Sequence, residues 1–502
     1  MLGDHAVVLG AGMGGLMAAR VLSDFYRDVT VVERDALPTE PIARRGVPQG
    51  KMVQALQARG SDILDELFPG VIDHLVAESV PTWDIRDFSK VAISYGGHRL
   101  GGGGRSMNGQ PIRAIVPSRP FLEWTVCGRV RAIANVTILE GHDVAGLRPT
   151  EDRSRVTGVR VVQRDNGIET SLDADLVVDA TGRGSRTPAF QEELGYGRPT
   201  EDELMVHLTY ACQLFRIAPD AVASYLNAIF PEPGRPRAFL LLAYENGTSM
   251  FAAAGMAGVV PPKSLEDRLE FVADFVPRDV LDAIRMAEPL GEVGHYRTPS
   301  NRWRRYDKMS RTPDGLLALG DAICSYNPIY GQGVTIAAME ALDLRECLRR
   351  GNRNLPRRFF DASANTVRKA WRITVAADLS LPEIEGPRPL SVRISNALMD
   401  SALTAAEYDV ECAIQFMKII EMLDAPTSVL RPGFLLRVVR AKLMQSRTGS
   451  RSAATPSVVG QVPQQHPGLG AGNASVHRRQ NSYCRADSRI ASAPNEANEA
   501  EA

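Results

Sequence analysis

The stretch Gly10-Ala11-Gly12-Met13-Gly14-Gly15 constrains this chain more than any other feature in it. An apolar run at 5–9 precedes it, apolar residues at helical spacing fill 13–23, and a second apolar run follows at 28–32. The pattern predicts strand, tight turn, helix and strand within about 30 residues, the context in which G-x-G-x-x-G becomes informative. Gly10 permits the turn, Gly12 lets the backbone approach a diphosphate, and Gly15 lets the helix pack on the sheet. The helix N-terminus then offers amides and the positive end of its dipole to an anion. Glu33 closes the second strand, where a carboxylate accepts ribose hydroxyls and repels a 2′-phosphate.

A chain of 502 residues has room for such a unit and one or two more. Lys and Arg number 58 against 59 acidic residues, so no global field recruits nucleic acid. The six cysteines are scattered without C-x-x-C pairs or histidine clusters, which predicts a reducing compartment and no metal site. The N-terminus lacks the basic flank and cleavage site of a secretory signal, and no apolar run approaches the roughly 20 residues that span a bilayer. A cytoplasmic protein is expected.

Farther along, 36–50 reads as a loop carrying Arg44 and Arg45, followed by a helix over about 51–67. The glycine-laden stretch 96–104 suits a hairpin or flexible loop, 121–134 a helix, 136–140 a strand, 156–164 and 170–172 a meander, and 175–180 a buried strand. Between 186 and 288 alternating segments at 205–217, 239–244 and 249–255 with helices at 264–275 and 278–287 predict an antiparallel sheet flanked by helices. The first pattern returns as a strand at 315–319 and a long helix at 333–349. The expected fold is α/β: a Rossmann-like nucleotide domain of the glutathione-reductase type from 1–80, 105–185 and 289–350, and a second α+β substrate lobe from 186–288 with 81–104. A helical C-terminal region over 351–445 and a disordered tail over 446–502, poor in large apolar groups, complete it.

One fingerprint does not separate FAD from NAD, but a second constellation does. Gly320-Asp321 follows a buried strand, and Asn327-Pro328-Ile329-Tyr330-Gly331-Gln332-Gly333 opens the long helix soon after. A carboxylate at the strand end suits a ribityl hydroxyl. A glycine-rich helix start presents amides to the N1/C2 edge of an isoalloxazine, where reduction leaves negative charge. The expected cofactor is therefore non-covalent FAD.

Together these residues resemble the group A flavoprotein monooxygenases and their relatives: squalene-type and polyether-type epoxidases, geranylgeranyl reductases and flavin-dependent halogenases. The resemblance runs from Ala6 to about Arg349. Arg44-Arg45-Gly46-Val47-Pro48-Gln49-Gly50, the strand end Asp179-Ala180-Thr181-Gly182 and the 327–333 block look most like the bacterial epoxidase-type branch. It implies that Gly10, Gly12, Gly15, Glu33 and Arg34 hold the ADP half, with Gly14 inside the same turn. Arg119 is similar to the arginine opening the helix that contacts the diphosphate, and Val144 falls where a backbone group meets adenine. Gly320 and Asp321 are implied to bind the diphosphate and ribityl chain, and Pro328, Gly331 and Gly333 the flavin ring. Gly182 joins the set, and Arg44, Arg45 and Gln49 sit in the loop that relatives place near the flavin and its reductant. Thr181-Gly182 replaces the Asp-Gly of many group A hydroxylases, a departure that touches the pyridine-nucleotide mode and not FAD.

The activity implied is that of an FAD-dependent oxidoreductase in which NAD(P)H reduces the flavin and O2 gives a C4a-hydroperoxide. That species oxygenates a large apolar unsaturated or aromatic metabolite by epoxidation or hydroxylation. No carboxylate pair, triad or metal site stands out, and no protein side chain is assigned as catalytic. A reductase saturating isoprenoid double bonds and a catalytically silent FAD-binding partner protein are the alternatives. The halogenase segment W-x-W-x-I-P is absent, the tryptophans being Trp83, Trp124, Trp303 and Trp371. Residues 432–444 alternate apolar groups with Arg437, Arg440 and Lys442, which suits either packing on the catalytic lobe or peripheral contact with a membrane. Oligomeric state is open.

Overall fold

The computed structural model describes residues 1–452 apart from 219; for residues 103, 442 and 444–452 it describes the backbone alone. Five parallel strands form the nucleotide-binding sheet, in the order Leu316–Ala318, Leu176–Asp179, Gly3–Leu9, Tyr26–Val32 and Val136–Leu139. Its strands are nearly continuous apolar runs because helices cover the sheet, as parallel sheets require. The helices Met13–Leu22 and Gly333–Arg349 share one core with Val8, Val31 and Val178, all fully buried. A three-stranded antiparallel meander, Glu169–Asp173, Val156–Gln163 and His142–Pro149, is built beside it.

The second sheet has eight strands. Period-two alternation divides its side chains between two cores. In Arg237–Ala243, Leu240 and Leu242 point into a core shared with the C-terminal helices, and Phe239 and Leu241 into one shared with Leu265–Val272 and Arg278–Arg285. Each such side chain contributes about 1.5–3 kcal/mol of transfer free energy.

Three expectations change. The helix expected from 51 begins only at Ala58, because 52–57 is extended, with Gln54 N–H donating to Tyr244 Oη (2.6 Å) and Leu56 N–H to the Ile115 carbonyl (3.3 Å). The return to the nucleotide domain comes later than 289. Glu288–Arg304 is a long strand paired antiparallel with Glu201–Arg216 in the eight-stranded sheet, and the parallel sheet is rejoined at Leu316. The helix Pro432–Ser452 runs past 446, where the disordered tail was expected to begin; the rest of that tail, 453–502, lies outside the described residues. In this helix Phe434, Val438 and Ala441 are buried in the core under the sheet, while Leu436 and Val439 face outward. Among the described residues no helix is long and apolar enough to cross a membrane, and no group of His, Cys, Asp or Glu could hold a metal.

Candidate functional site

Gly10 ends the first strand with φ +95°, a conformation L side chains rarely adopt, and a Cβ there would meet the Ala180 carbonyl at 2.9 Å. Gly15 is under stronger constraint, since its Cβ would lie 1.8 Å from the Gly10 carbonyl oxygen. Gly12, the N-cap of Met13–Leu22, has nothing within 4 Å of such an atom, and no acidic residue occupies the helix's first turn. Two glycines of one turn thus close against protein and the third opens onto space beside uncompensated helix amides, a cradle that suits a diphosphate. A Cβ on Gly14 would meet the side chains of Leu319 (3.2 Å) and Ala337 (3.8 Å), which brings the second constellation to the first.

Glu33, 4% exposed, accepts the Ala11 N–H on Oε2 (2.7 Å) and the Asp35 N–H on Oε1 (3.0 Å). Arg44 lies 3.0 Å from Glu33 Oε1, 2.8 Å from Glu123 Oε1 and 3.3 Å from Asp35 Oδ2, and donates to the Ala11 carbonyl at 3.0 Å. Its guanidinium is held above the usual arginine range: burial opposes the charge, and Glu123 and Glu33 outweigh it. Arg44 is therefore a buried hub beside the first glycine turn, joined to Glu33, Asp35, Glu123 and the Ala11 carbonyl. Arg119 completes the cluster through Glu123 Oε2 (3.1 Å). The cleft here is lined by Ala11, Arg44, Val47, Gly50, Arg119 and Pro120 among others. Arg34 is exposed with Asp143 at 3.8 Å, Val144 offers its carbonyl to Arg186 (3.4 Å), Arg45 is exposed and Gln49 half-buried.

At the other end Gly320 (φ +67°) donates its N–H to Glu340 Oε2 at 2.6 Å. Glu340 is fully buried and accepts the Ser363 hydroxyl on Oε1 (2.6 Å); burial pushes its carboxyl up to about 8. Asp321 lies between Gly333, whose Cβ would sit 3.8 Å from Oδ1, and Gly182, whose Cβ would sit 4.0 Å from the aspartate's own. Burial raises its carboxyl, and the charges of Arg119 and Arg183 oppose the rise. An acceptor flanked by two glycines, with cations near it, fits the ribityl and diphosphate part of FAD. Arg183 is itself anchored, donating to the Ser300 carbonyl (2.8 Å) and to Ser325 Oγ (2.5 Å). Gly331 has φ +67° and a Cβ on it would lie 3.9 Å from the Ala55 carbonyl oxygen, and Pro328 opens the turn Pro328–Tyr330 that Asn327 caps through the Ile329 N–H (3.2 Å).

The structure thus sets Glu33, Arg44 and Arg119 beside the first glycine turn and Gly182 and Gly333 beside Asp321, while Arg34 and Arg45 are exposed and Gln49 is half-buried. Sequence reasoning missed Glu123, Arg183, Glu340 and Asp378. Glu123 carried a signal, standing four residues after Arg119 on a helix. Asp378 carried none, because its partners are Asn327, Tyr330 and Asn301.

The family model described as FAD binding domain matches residues 5–350. Protein Rv3254 of Mycobacterium tuberculosis (strain ATCC 25618 / H37Rv) is 36% identical over 431 residues, covering 84% of this chain and 90% of that protein. Squalene monooxygenase of Rattus norvegicus is 23% identical; the match takes in 73% of this chain and 58% of the rat protein's length. Among solved structures, a flavoprotein/dehydrogenase from Cytophaga hutchinsonii shares the fold, with TM-score 0.62, 14% identity, 88% of this chain and all of that one.

Proposed function

The chain belongs to the FAD binding domain family and the group A flavoprotein monooxygenase superfamily, and from that premise we propose that it oxygenates a large apolar unsaturated or aromatic small molecule at the expense of NAD(P)H and O2. It is an FAD-dependent oxidoreductase. The finer reading, epoxidation or hydroxylation of such a substrate, is supported above all by the eight-stranded sheet. The sheet's strand Glu288–Arg304 pairs with Cys324–Ser325 just before the 327–333 segment and carries half-buried Tyr296, whose phenol is raised first by burial and then by the Asp321 carboxylate.

The residues divide the work. Backbone amides at 12–15 hold the diphosphate at the dipole's positive end, and Glu33, fixed by Arg44 and the Ala11 amide, is oriented toward the adenosine ribose. Asp321 holds the ribityl chain and Gly331 and Gly333 admit the flavin ring, with Gly320 locked by Glu340. Bound FAD supplies two-electron reduction by NAD(P)H and the activation of O2. The sheet and the segment 52–57 would shield the reacting carbon from water, and transfer to an olefin, which loses no proton, needs no protein base.

The test is anaerobic reduction by NADH and by NADPH, then mixing with 18O2 and squalene or a polycyclic phenol. The expected result is a flavin that reoxidises with one 18O atom in the organic product. A product that gains two hydrogens and no oxygen refutes oxygenation in favour of saturation.

A further inference from the structure

The helix Leu355–Asp378 lies beyond the matched family segment, yet its last two turns grip the flavin-facing segment from behind. Thr374 donates its hydroxyl to Gln332 Oε1 at 2.9 Å. Four residues later Asp378, fully buried, accepts three hydrogen bonds: from Asn301 Nδ2 on Oδ2 (2.6 Å), and from Asn327 Nδ2 and Tyr330 Oη on Oδ1 (both 2.8 Å). Asn301 Oδ1 in turn accepts the Asn327 N–H at 2.5 Å. Among the described residues no cation pairs with Asp378. The titratable groups facing it are phenols: Tyr330 from the flavin-facing turn, Tyr95 from the hairpin strand Val91–Tyr95, and Tyr210 from the sheet strand Glu201–Arg216.

A carboxylate buried without a counter-ion is costly, and here both of its oxygens are taken by donors. Three donors converging on one carboxylate stabilise its ionised form, while burial resists it. The outcome is a carboxyl raised to about 6, with burial the largest cause and the three donors opposing it. Such a group gains a proton when negative charge is added nearby, and reduction of a flavin held by 327–333 adds that charge.

We propose that Asp378 is a positioning residue for the flavin-facing segment 327–332 and takes up one proton when the flavin is reduced. The inference rests on the FAD site described above. In the balance, two electrons and a hydride-borne hydrogen come from NAD(P)H, one solvent proton adds to the Asp378 carboxylate, and the proton leaves when the flavin is reoxidised. Asn327 and Tyr330 keep their places through both states because a carboxylic acid still offers each an acceptor oxygen.

The test is the midpoint potential of the FAD-loaded protein between pH 5 and 9, for the native chain, Asp378→Asn and Tyr330→Phe. The native protein is expected to show an added slope of about 30 mV per pH unit, one proton per two electrons, over part of that range. Asp378→Asn is expected to abolish it and to raise the potential at high pH. Tyr330→Phe removes one donor to the carboxylate, so the break in slope moves to higher pH. An FAD-loaded Asp378→Asn protein with native slope and potential overturns the proposal. Should that variant not fold, an unmoved break in Tyr330→Phe does the same. A native chain that binds no FAD defeats the cofactor site itself, a separate failure.

Discussion

The two ends of the cofactor cleft are built from opposite materials. At the adenosine end one buried arginine, Arg44, is shared among Glu33, Glu123 and Asp35, and charge meets charge at 2.8–3.3 Å. At the flavin end Asp378 has amide and phenol partners and no cation among the described residues. The first arrangement sets each of these carboxylates against the guanidinium. The second leaves a carboxyl poised to change state. On the function proposed above, the end that only binds is held by paired charges, and the end where electrons arrive is left adjustable.

The sharpest way to break this contrast is at the turn both ends depend on. Gly15→Ala forces a methyl group to 1.8 Å from a backbone oxygen, and a loss of more than about 4 kcal/mol with no retained FAD is expected by thermal melts and flavin absorbance. Gly12→Ala meets no protein atom within 4 Å, so its melting should match the native apoprotein while FAD binding weakens about tenfold or more, ~1.4 kcal/mol. Equal damage from both would show that the turn is sterically uniform.

Arg44→Ala tests the locked end. It leaves Glu33 buried without its cation and Glu123 with Arg119 alone, a cost of about 3–5 kcal/mol by denaturant unfolding. Arg44→Lys should recover only part of that, because one ammonium does not reproduce the planar fork.

The adjustable end predicts a pH dependence of stability. Glu340 is raised from 4.5 to about 8 and Asp378 from 3.8 to about 6, so between those limits the native chain holds protons that the unfolded chain has lost. The stabilisation is complete below the unfolded values and disappears as pH rises through the folded ones. The melting temperature should fall from pH 5 to pH 8. Glu340→Gln, whose carbonyl can still accept the Gly320 N–H, should flatten that fall, a difference on the order of a few kcal/mol at pH 8. A steeper fall in the variant would contradict the assignment. The smallest effect belongs to Arg34→Ala, an exposed pair at 3.8 Å, for which unfolding should change by less than about 0.5 kcal/mol.

What was legible in the sequence follows the range of the interactions. Gly10, Gly12, Gly15 and Glu33 were readable because a turn and a strand end write their requirements into neighbouring positions. The strand Glu288–Arg304 was not, since it contains Pro289, Gly291, Gly294 and Pro299, residues that signal turns, and becomes a strand through pairing with Glu201–Arg216. Arg44 was found as a residue, but its part as a buried hub was not, because its contact with Glu123, 79 positions away, has no local signature. Asp378 meets Asn327 across 51 positions and Asn301 across 77, contacts with no local signature.

The helix Leu355–Asp378 also has a mechanical meaning. Its early residues Phe359, Phe360, Ala364, Val367 and Ala370 belong to the core of the parallel sheet, whereas Leu379 and Leu381 just beyond its end belong to the core beneath the eight-stranded one. It is a spar tying the two cores together. A fragment cut at residue 350, where the recognisable family segment stops, would lose that spar, leave apolar surface of both cores wet, and forfeit the clamp on residues 327 and 330. Minimal versions of this flavoprotein should therefore be trimmed from beyond residue 452, which keeps Phe434, Val438 and Ala441 in that core, and not from the edge of the matched segment.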